Sequence, residues 1–407
     1  MSSANCRRKS RVGRCITFGP RGALKWLLSG AESTITLIPM NAKKGKKHAA
    51  TIRDVAAESG FSPATVSIVL NNAPLSRYIQ ATTKERIVKA ARKLGYQPNQ
   101  LARSLRSRRN NTIGVVVFDL TDPFCTPIMR GIENTLYQSS YVSLLADAHN
   151  ELSRFEKYLE MLLERRVEGM IVIANWTLVD IALLADLEKR NIPTVVIGRE
   201  LQNETINSIM VDNEAGGRIA LQHLHSLQHR KIAFVRGPKS VVDSPLRWQG
   251  ITDYAQSVGL PVDPKLVIEL PDRKEPNSSF EGGYRAVEEL IKRKRPFTAV
   301  LAFDDMTALG VMRGLAERGI SVPDQCSVIG FDDVAPAAFS NPALTTVRQP
   351  MEGMGSTAVE IVVESLSSDL RPGEISVVHR KISPELVVRA STRAASLTKT
   401  AFPPSAD

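Results

Sequence analysis

Cysteine is scarce in this chain. Only four cysteines occur among its 407 residues, and none stands at a C-x-x-C spacing, so the sequence predicts neither a zinc knuckle nor a disulfide framework. This usage is typical of a protein that stays in a reducing cytoplasm. The apolar fraction of 43% is ample for a sizeable core, and the length predicts two or three folded units.

Long apolar runs and catalytic signatures are missing as well. The sequence has no run of about 18 apolar residues that could span a bilayer. Arg21 and Lys25 interrupt what would have to be the apolar core of a signal peptide. The chain also lacks G-x-S-x-G, a G-x-x-x-x-G-K phosphate loop and a Cys-His context. These absences argue against secretion, a membrane span and enzymatic activity, and no cofactor is expected.

Positive charge is concentrated at the front of the chain. The first 112 residues hold 22 Lys and Arg against 4 acidic residues, and since the whole chain carries +11, residues 113–407 are net negative. A basic front end predicts a polyanionic partner, either nucleic acid or an anionic membrane. Residues 1–50 are predicted to form a disordered basic extension. A true start at Met40, with the upstream residues an artefact, is the alternative.

Three short helical segments follow this extension. Thr51 is the predicted N-cap of the first, and Gly60 lies in the tight turn that ends it. Ser62 is expected to cap the second, and Thr82 to open the third through a capping box with Glu85. Two short helices joined by a glycine turn and braced by a third predict a helix-turn-helix. A generic three-helix bundle is the alternative, and the surrounding basic residues favour DNA binding.

A further basic segment follows Gly95. Pro98 blocks continuation of the third helix, and QLARSLRSRR then offers a very short helix with four arginines. An isolated helix of that length needs a partner to be stable. The segment is therefore either a charged linker or a hinge that orders on DNA.

The motifs in this region resemble a known family. TIRDVAAESGFSPATVSIVLN and TTKERIVKAARKLGYQPNQLARSLRSRRNNTIGVV resemble the head piece and hinge of the lactose-repressor and galactose-repressor family of bacterial transcription regulators. DPF, VDNEAGG, FDDMTALGV, SVPDQCSVIGFDD and ALTTVRQP extend the resemblance over roughly residues 51–393. It implies a head piece at 51–97, a hinge helix and linker at 98–112, a body at 113–393 and a flexible tail at 394–407.

The resemblance implies a set of DNA contacts, made by SPATVSIVLN as the recognition helix in the major groove and by the hinge helix in the minor groove. The residues implied to contact phosphates are Ser62, Thr65, Ser67, Asn71, Asn99 and Arg103. Those implied to contact base edges are Pro63, Ala64 and Ile68. Leu105 would wedge between base pairs beside Ala102, and Thr51 is a further implied DNA contact. Since one head piece would read one half-site, a homodimer on a near-palindromic operator is expected.

Two features depart from the family pattern. The position of Ile68 often holds a long polar residue, and isoleucine cannot form a bidentate bond to guanine but can pack on a thymine methyl group. The stretch LNNAPLSRYIQATTKE is about three residues longer than expected. Arg77 and Tyr78 within it either supply additional DNA contacts or belong to a surface loop that has merely grown.

The body alternates apolar runs with helical segments. Runs such as IGVVVF, GMIVIA, PTVVIG and TAVLAF predict parallel sheets covered on both faces. The resemblance implies an α/β, two-lobed, periplasmic-binding-protein-like fold in which the chain crosses between lobes three times. On that basis one lobe comprises about 113–211 and 331–349, and the other about 212–330 and 350–393.

An effector is expected in the cleft between the lobes, at the carboxyl ends of the strands. Four residues are predicted to line it: Phe124, Arg199, Arg247 and Asp305, of which Arg247 aligns with a sugar-contacting arginine of the family. Charged groups and an aromatic face suit a sugar or polar ring. Capping of the next helix by Asp305 and simple exposure of the two arginines are the alternatives.

Three histidines invite a metal hypothesis. His225 and His229 lie four apart on a predicted helix that also carries His223. No carboxylate or cysteine partner is adjacent, so a solvated helix end is the preferred interpretation, and no metal is predicted.

The resulting prediction is a cytoplasmic, nucleoid-associated DNA-binding regulator, in this family usually a repressor, controlled by a small molecule that is expected to be a carbohydrate. An exported sugar-binding protein would need a signal peptide and leaves the head piece unexplained. A sugar-acting enzyme would need paired carboxylates in the cleft. The tail shows no leucine heptad that would join dimers into tetramers.

Overall fold

The computed structural model describes residues 50–71, 73–96, 110–173, 190–199, 206–239, 241–271, 278–368 and 377–395, and the backbone of three strands before them. These strands are β1 (Thr17–Phe18), β2 (Leu24–Leu28) and β3 (Ala31–Thr34), and they form an antiparallel sheet. The predicted hinge contacts Asn99, Ala102, Arg103 and Leu105 lie outside the described residues. The chain divides into two compact units, residues 1–99 and 100–407.

The first unit contains three helices, α1 (Ile52–Ser59), α2 (Pro63–Leu70) and α3 (Ala81–Leu94). Thr51 caps α1 in a reciprocal capping box with Asp54, and Gly60 ends it in the left-handed conformation with φ 77°, which glycine adopts without a steric cost. The Ser62 side chain caps α2 by accepting a hydrogen bond from the Thr65 amide. Val55, Val66 and Ile87 are fully buried where the three helices meet.

The start of α3 differs from the prediction. The helix begins at Ala81, with Gln80 as an N-cap that makes no side-chain hydrogen bond, so Thr82 does not form the expected capping box with Glu85. A 3₁₀ segment, Pro74–Tyr78, precedes it and closes with a hydrogen bond from the Ile79 amide to Ser76 O. The 3₁₀ segment ends at Tyr78, and α3 begins three residues later at Ala81, one residue before Thr82.

Within the described residues, the second unit holds two six-stranded sheets, and helices connect most of the successive strands. In chain order its strands are β4 (Thr112–Val117), β5 (Val142–Asp147), β6 (Gly169–Ile173), β7 (Thr194–Ile197), β8 (Asn207–Val211), β9 (Ile232–Arg236), β10 (Val267–Glu269), β11 (Ala299–Ala302), β12 (Ser327–Asp332), β13 (Thr345–Arg348), β14 (His379–Ile382) and β15 (Glu385–Val387). One sheet has the order β14-β8-β7-β6-β4-β5 and the other β10-β9-β11-β12-β13-β15. Neighbouring strands in both are parallel, except that β15 pairs antiparallel with β13.

The helices of this unit cover both faces of each sheet, so the central strands are buried along their whole length, as parallel sheets require. In chain order these helices are α4 (Cys125–Gln138), α5 (Leu152–Glu164), α6 (Asn213–Ser226), α7 (Asp243–Ser257), α8 (Ser278–Lys292), α9 (Asp305–Ala316), α10 (Ala335–Phe339) and α11 (Met351–Ser367). Together the elements form two lobes, one around each sheet. None of the helices within the described ranges is long and apolar enough to cross a membrane.

The chain crosses between the lobes three times, but two segments are exchanged relative to the predicted assignment. β12 and β13 pair with each other in the second lobe, so residues 331–349 do not belong to the first. Helix α11 packs in the core of the first lobe, and β14 pairs with β8, so these two elements of the segment 350–393 do not belong to the second. Both errors have the same cause. An apolar run in the sequence predicts a strand but does not indicate which other strand or helix it packs against.

Candidate functional site

The face of α2 that leaves the core is accessible. Ser62, Pro63, Ala64 and Asn71 are exposed, whereas Thr65, Ser67 and Ile68 are half-buried. Val66, on the opposite side, is fully buried. The helix therefore packs through one side and leaves the predicted DNA-contacting side open.

The hydroxyl and amide groups on this face are held by one another. The Ser62 and Thr65 hydroxyls lie 2.9 Å apart, and the Asn71 side-chain amide donates to Ser67 O at 2.9 Å and to Ser67 Oγ at 3.1 Å. Thr51 is exposed, and its own amide donates to the Asp54 carboxylate at 2.7 Å. These groups are positioned before any partner binds, which limits the entropy lost on binding.

A cavity opens between the lobes of the second unit. Its lining residues are Asp122, Pro123 and Phe124 from the first lobe and Asp243, Arg247, Ser279, Phe303, Asp304, Met306, Asp332, Val334 and Gln349 from the second. Most of them stand just beyond the carboxyl ends of strands, where ligands bind in parallel sheets.

Arg247 is the most heavily bonded group in this cavity. Its Nε donates to Asn213 Oδ1 at 2.8 Å and its Nη1 to Phe303 O at 2.7 Å. Its Nη2 lies 3.5 Å from carboxylate oxygens of both Asp243 and Asp332. The guanidinium centre also sits 3.6 Å from the ring centroid of Phe331. The predicted cleft residue is therefore present, fixed in place and only 5% exposed.

Close helix packing sets the position of Arg247. Arg247 lies on α7, which packs against α6 at Gly217. A Cβ on Gly217 would lie 2.2 Å from Arg247 O, a distance that real Cβ atoms do not tolerate. The absence of a side chain at Gly217 therefore allows the Arg247 backbone to lie directly against α6.

Burial perturbs the carboxyl groups around this arginine. Desolvation raises the pKa of Asp332 well above its ordinary value, although Arg247 opposes the shift. The pKa of Asp243 is raised for the same reason, again against the effect of Arg247 and of a hydrogen bond from Asn213. Perturbed carboxyl groups in a cleft are typical of functional sites.

Asp305 does not line the cavity, in contrast to the prediction. It is fully buried and accepts hydrogen bonds from the Val334 amide at 2.9 Å and the Thr346 hydroxyl at 2.5 Å. Gly330 makes room for it, since a Cβ there would lie 2.3 Å from Asp305 Oδ1. Asp305 thus braces the loops that carry the cavity residues, and burial raises its pKa to about 7.

The other two predicted cleft residues have different outcomes. Phe124 lines the cavity and is 8% exposed. Arg199 is not among the lining residues, and burial lowers the pKa of its guanidinium. Position after a strand is therefore not sufficient to place an arginine in this cavity, since Arg199 follows β7 but does not line it.

Two lining carboxylates, Asp304 and Asp332, were missed by the sequence prediction. Asp304 accepts a hydrogen bond from Ser279 Oγ at 3.0 Å, and Asp332 accepts one from the Gln349 amide at 2.6 Å. The signal that identifies them is the repeated FDD, which directly follows β11 and overlaps the end of β12. These strands are parallel neighbours, so their carboxyl ends meet at one edge of the sheet.

The histidine segment is not the solvated helix end that was predicted. His229 is buried, and its ring bonds to Thr298 Oγ1 at 2.8 Å and to Arg393 O at 3.0 Å. His225 bonds to the Tyr254 hydroxyl at 3.0 Å. These contacts join the helix end to the second sheet and to the C-terminal segment. In the part of the chain that the structure describes, no cluster of His, Cys, Asp and Glu could hold a metal ion.

Comparison with known proteins agrees with this architecture. Residues 51–99 match the bacterial regulatory proteins of the lacI family, and residues 221–392 match the periplasmic binding protein-like domain. The chain is 30% identical over 356 residues to the HTH-type transcriptional repressor CytR of Escherichia coli (strain K12), which covers 87% of this chain and 99% of that repressor.

Two similar solved structures contain bound partners. The Lac repressor dimer bound to operator and the anti-inducer ONPF superposes with a TM-score of 0.74 at 27% identity, over 85% of this chain and 100% of that one. A LacI family regulator from Enterococcus faecium with bound ribose superposes with a TM-score of 0.61 at 30% identity, over 70% and 100% of the two chains.

Proposed function

The chain belongs to the lacI family of bacterial regulatory proteins, and we propose that it represses transcription from a near-palindromic operator under the control of a carbohydrate-like effector that binds in the cleft. It is a DNA-binding transcriptional regulator with a helix-turn-helix head piece and an effector-binding body. The observation that carries the proposal is a recognition helix with one open face in the same chain as a carboxylate-lined cavity between two lobes.

Residues of the recognition helix have assigned roles in this proposal. The roles are phosphate contact for Ser62, Thr65, Ser67 and Asn71, base-edge contact for Pro63, Ala64 and Ile68, and a further backbone contact for Thr51. Exposure of the helix face and the mutual hydrogen bonds of its hydroxyl groups support these roles. Small polar groups are suited to phosphate oxygens.

The hinge completes the operator contact in the proposal. Leu105 would act as a wedge in the minor groove, Ala102 would allow two hinge helices to approach, and Asn99 and Arg103 would lie near phosphates. An apolar wedge unstacks a base step and bends the duplex, which increases the contact area. The same proposal sets the DNA-binding domain at 51–97 and the body at 113–393, and places the protein at the bacterial nucleoid in the cytoplasm.

The cavity chemistry indicates the kind of effector. Carboxyl groups of Asp122, Asp243, Asp304 and Asp332 line it. The Nε and Nη1 atoms of Arg247 donate to protein partners, and its Nη2 faces two of these carboxyl groups. Such a cavity offers acceptors and disfavours an anion. A neutral polyol supplies many hydroxyl donors, and Phe124 and Phe303 provide ring faces against which a sugar ring can pack. The bound ribose in a similar structure supports this class.

Selection of duplexes from a random pool tests the DNA part of the proposal. We expect the purified protein to enrich a motif with two-fold symmetry and to bind it with an affinity that falls steeply with salt concentration. A matched panel of neutral sugars and their phosphate esters then tests the cleft through thermal shift. Enrichment of no motif overturns the operator proposal, and stabilisation by phosphate esters alone overturns the effector proposal.

A further inference from the structure

The recognition helix α2 carries an unusual surface for a DNA reader. Its sequence PATVSIVL has no charged side chain and no long polar one. Phosphate attraction supplies a large share of protein–DNA affinity, and bidentate contacts to bases need side chains such as Arg, Asn or Gln. The helix by itself therefore offers only neutral groups to phosphates and no bidentate contact to a base, and a charged contact has to come from another element.

The 3₁₀ segment Pro74–Tyr78 lies directly beside this helix. The Ala73 amide donates to Ile68 O at 3.0 Å, which fixes the start of the segment on the last turn of α2. Two further backbone bonds, from the Ser76 amide to Ala73 O at 2.7 Å and from the Ile79 amide to Ser76 O at 3.0 Å, hold its shape. The segment is a built element with a defined position next to the recognition face.

In the segment Pro74–Tyr78 a small polar side chain is buried and two large apolar ones are exposed, which is the reverse of the usual pattern. The small hydroxyl of Ser76 is only 5% exposed, whereas Leu75 is 59% exposed and Tyr78 is 71% exposed. A single exposed Leu would need no explanation. Two large side chains held outward around a buried serine indicate a contact surface rather than a loop that has merely grown.

Arg77 gives this surface its charge. Its guanidinium lies 4.7 Å from the ring centroid of Tyr78, so the cation and the aromatic ring are stacked. The stretch from 71 to 80 contains no acidic residue. A planar guanidinium matches a phosphate group through two parallel hydrogen bonds, and tyrosine is a regular partner of the sugar–phosphate backbone.

We propose that the segment Pro74–Tyr78 is a second operator-contacting element, in which Arg77 binds a backbone phosphate and Tyr78 packs against the adjoining deoxyribose. The inference rests on the proposed operator binding. It explains how a helix whose own phosphate contacts are all made by neutral groups can hold a duplex, since the neighbouring segment adds a charged contact. In a homodimer each half-site receives one such contact.

The test measures binding of the full-length protein to its selected duplex by fluorescence anisotropy over a series of salt concentrations. Arg77→Ala is expected to weaken binding about tenfold at moderate salt and to lower the slope of log K against log salt by about 1.8, because two phosphate contacts are lost per dimer. Arg77→Lys should restore most of the slope. Tyr78→Ala is expected to weaken binding about fivefold with the slope unchanged, and Tyr78→Phe to bind within about twofold of wild type.

Arg285→Ala is the matched control, since it removes the same charge from an exposed helix position of the second lobe where Arg285 pairs with Glu281. It should leave both affinity and slope unchanged. Wild-type affinity and slope in Arg77→Ala and Tyr78→Ala would overturn the inference and assign the surface to a protein partner, while operator binding would stand. Failure of the wild-type protein to select any duplex would overturn both proposals.

Discussion

The side-chain amide of Gln349 donates a hydrogen bond of 2.6 Å to the carboxylate of Asp332. Asp332 lines the cavity at the end of β12, and Gln349 follows β13 where the chain leaves the second lobe for α11 of the first. The backbone joins the same two residues, because the Gln349 amide donates to Asp332 O at 3.3 Å. A group that lines the cavity is thus bonded to the segment that crosses between the two lobes.

Gln349→Leu is expected to weaken the coupling between ligand and operator. The substitution keeps the size of the side chain but removes its donor, so a ligand at Asp332 no longer biases the crossing segment. We expect the ratio of operator dissociation constants with and without ligand to fall toward one, from a value of about 5 to 150 that is typical of such coupling. Operator affinity without ligand should change less than about threefold.

Gln249→Leu is the control for this prediction, since the amide of Gln249 bonds to Asp253 on the exposed side of α7. An unchanged ratio in Gln349→Leu would show that another crossing segment carries the coupling. The ratio is measured by anisotropy titration with the ligand identified in the sugar screen.

Arg247→Met should destabilise the body. It leaves the buried carboxylates of Asp243 and Asp332 without their cation, and breaking a buried ion pair in this way costs about 3–5 kcal/mol. Arg247→Lys keeps the charge but loses the bonds to Asn213 and Phe303, for which we expect a loss of about 1–3 kcal/mol. Urea unfolding followed by intrinsic fluorescence measures both, and a loss below about 0.5 kcal/mol for Arg247→Met would contradict the ion-pair network described above.

Asp305→Asn should change the pH dependence of stability. The folded-state pKa of Asp305 is raised to about 7, above an unfolded value of about 3.9, so the folded protein binds the proton more tightly. The stability contributed by this proton is present at acid pH and is lost as pH rises toward 7. Relative to wild type, the variant should therefore lose about 2 kcal/mol more at pH 5.5 than at pH 8. Equal losses at both pH values would show that Asp305 is ionised in the folded protein below pH 5.5.

The class of fold was predictable from the chain because periodicity and capping are local properties. Thr51 and Ser62 cap their helices as expected, and the apolar runs form parallel strands. The lobe assignment of 331–349, α11 and β14 was wrong because strand pairing is a non-local property that apolar runs do not report. The start of α3 was wrong by one residue because the 3₁₀ segment before it has no strong local signature.

The cleft was only partly predictable for a related reason. Position after a strand identified Phe124, and the family resemblance identified Arg247; both residues line the cavity. Position after a strand does not distinguish Asp304 from Asp305. The first carboxylate caps α9 and faces the cavity, whereas the second turns under Gly330 into the core. One residue along a helix rotates a side chain by about 100°, so adjacent aspartates acquire opposite roles.

Ile68 is the residue at which this recognition helix departs from its family. Isoleucine cannot hydrogen-bond a base, so any sequence information that it reads must come from a thymine methyl group. Replacing one thymine at a time by uracil in the selected half-site removes that methyl and nothing else. At the position that Ile68 contacts, wild-type affinity should fall about fourfold, since burial of one such group is worth about 0.8 kcal/mol.

The same uracil substitution should have no effect on the Ile68→Ala variant, because the partner of the methyl group is already missing. This double-mutant cycle separates the contact from any effect of uracil on the duplex itself. A thymine outside the selected motif serves as the control position. If every uracil substitution weakens the variant as much as it weakens wild type, Ile68 does not read thymine, and the half-buried side chain serves only the packing of α2.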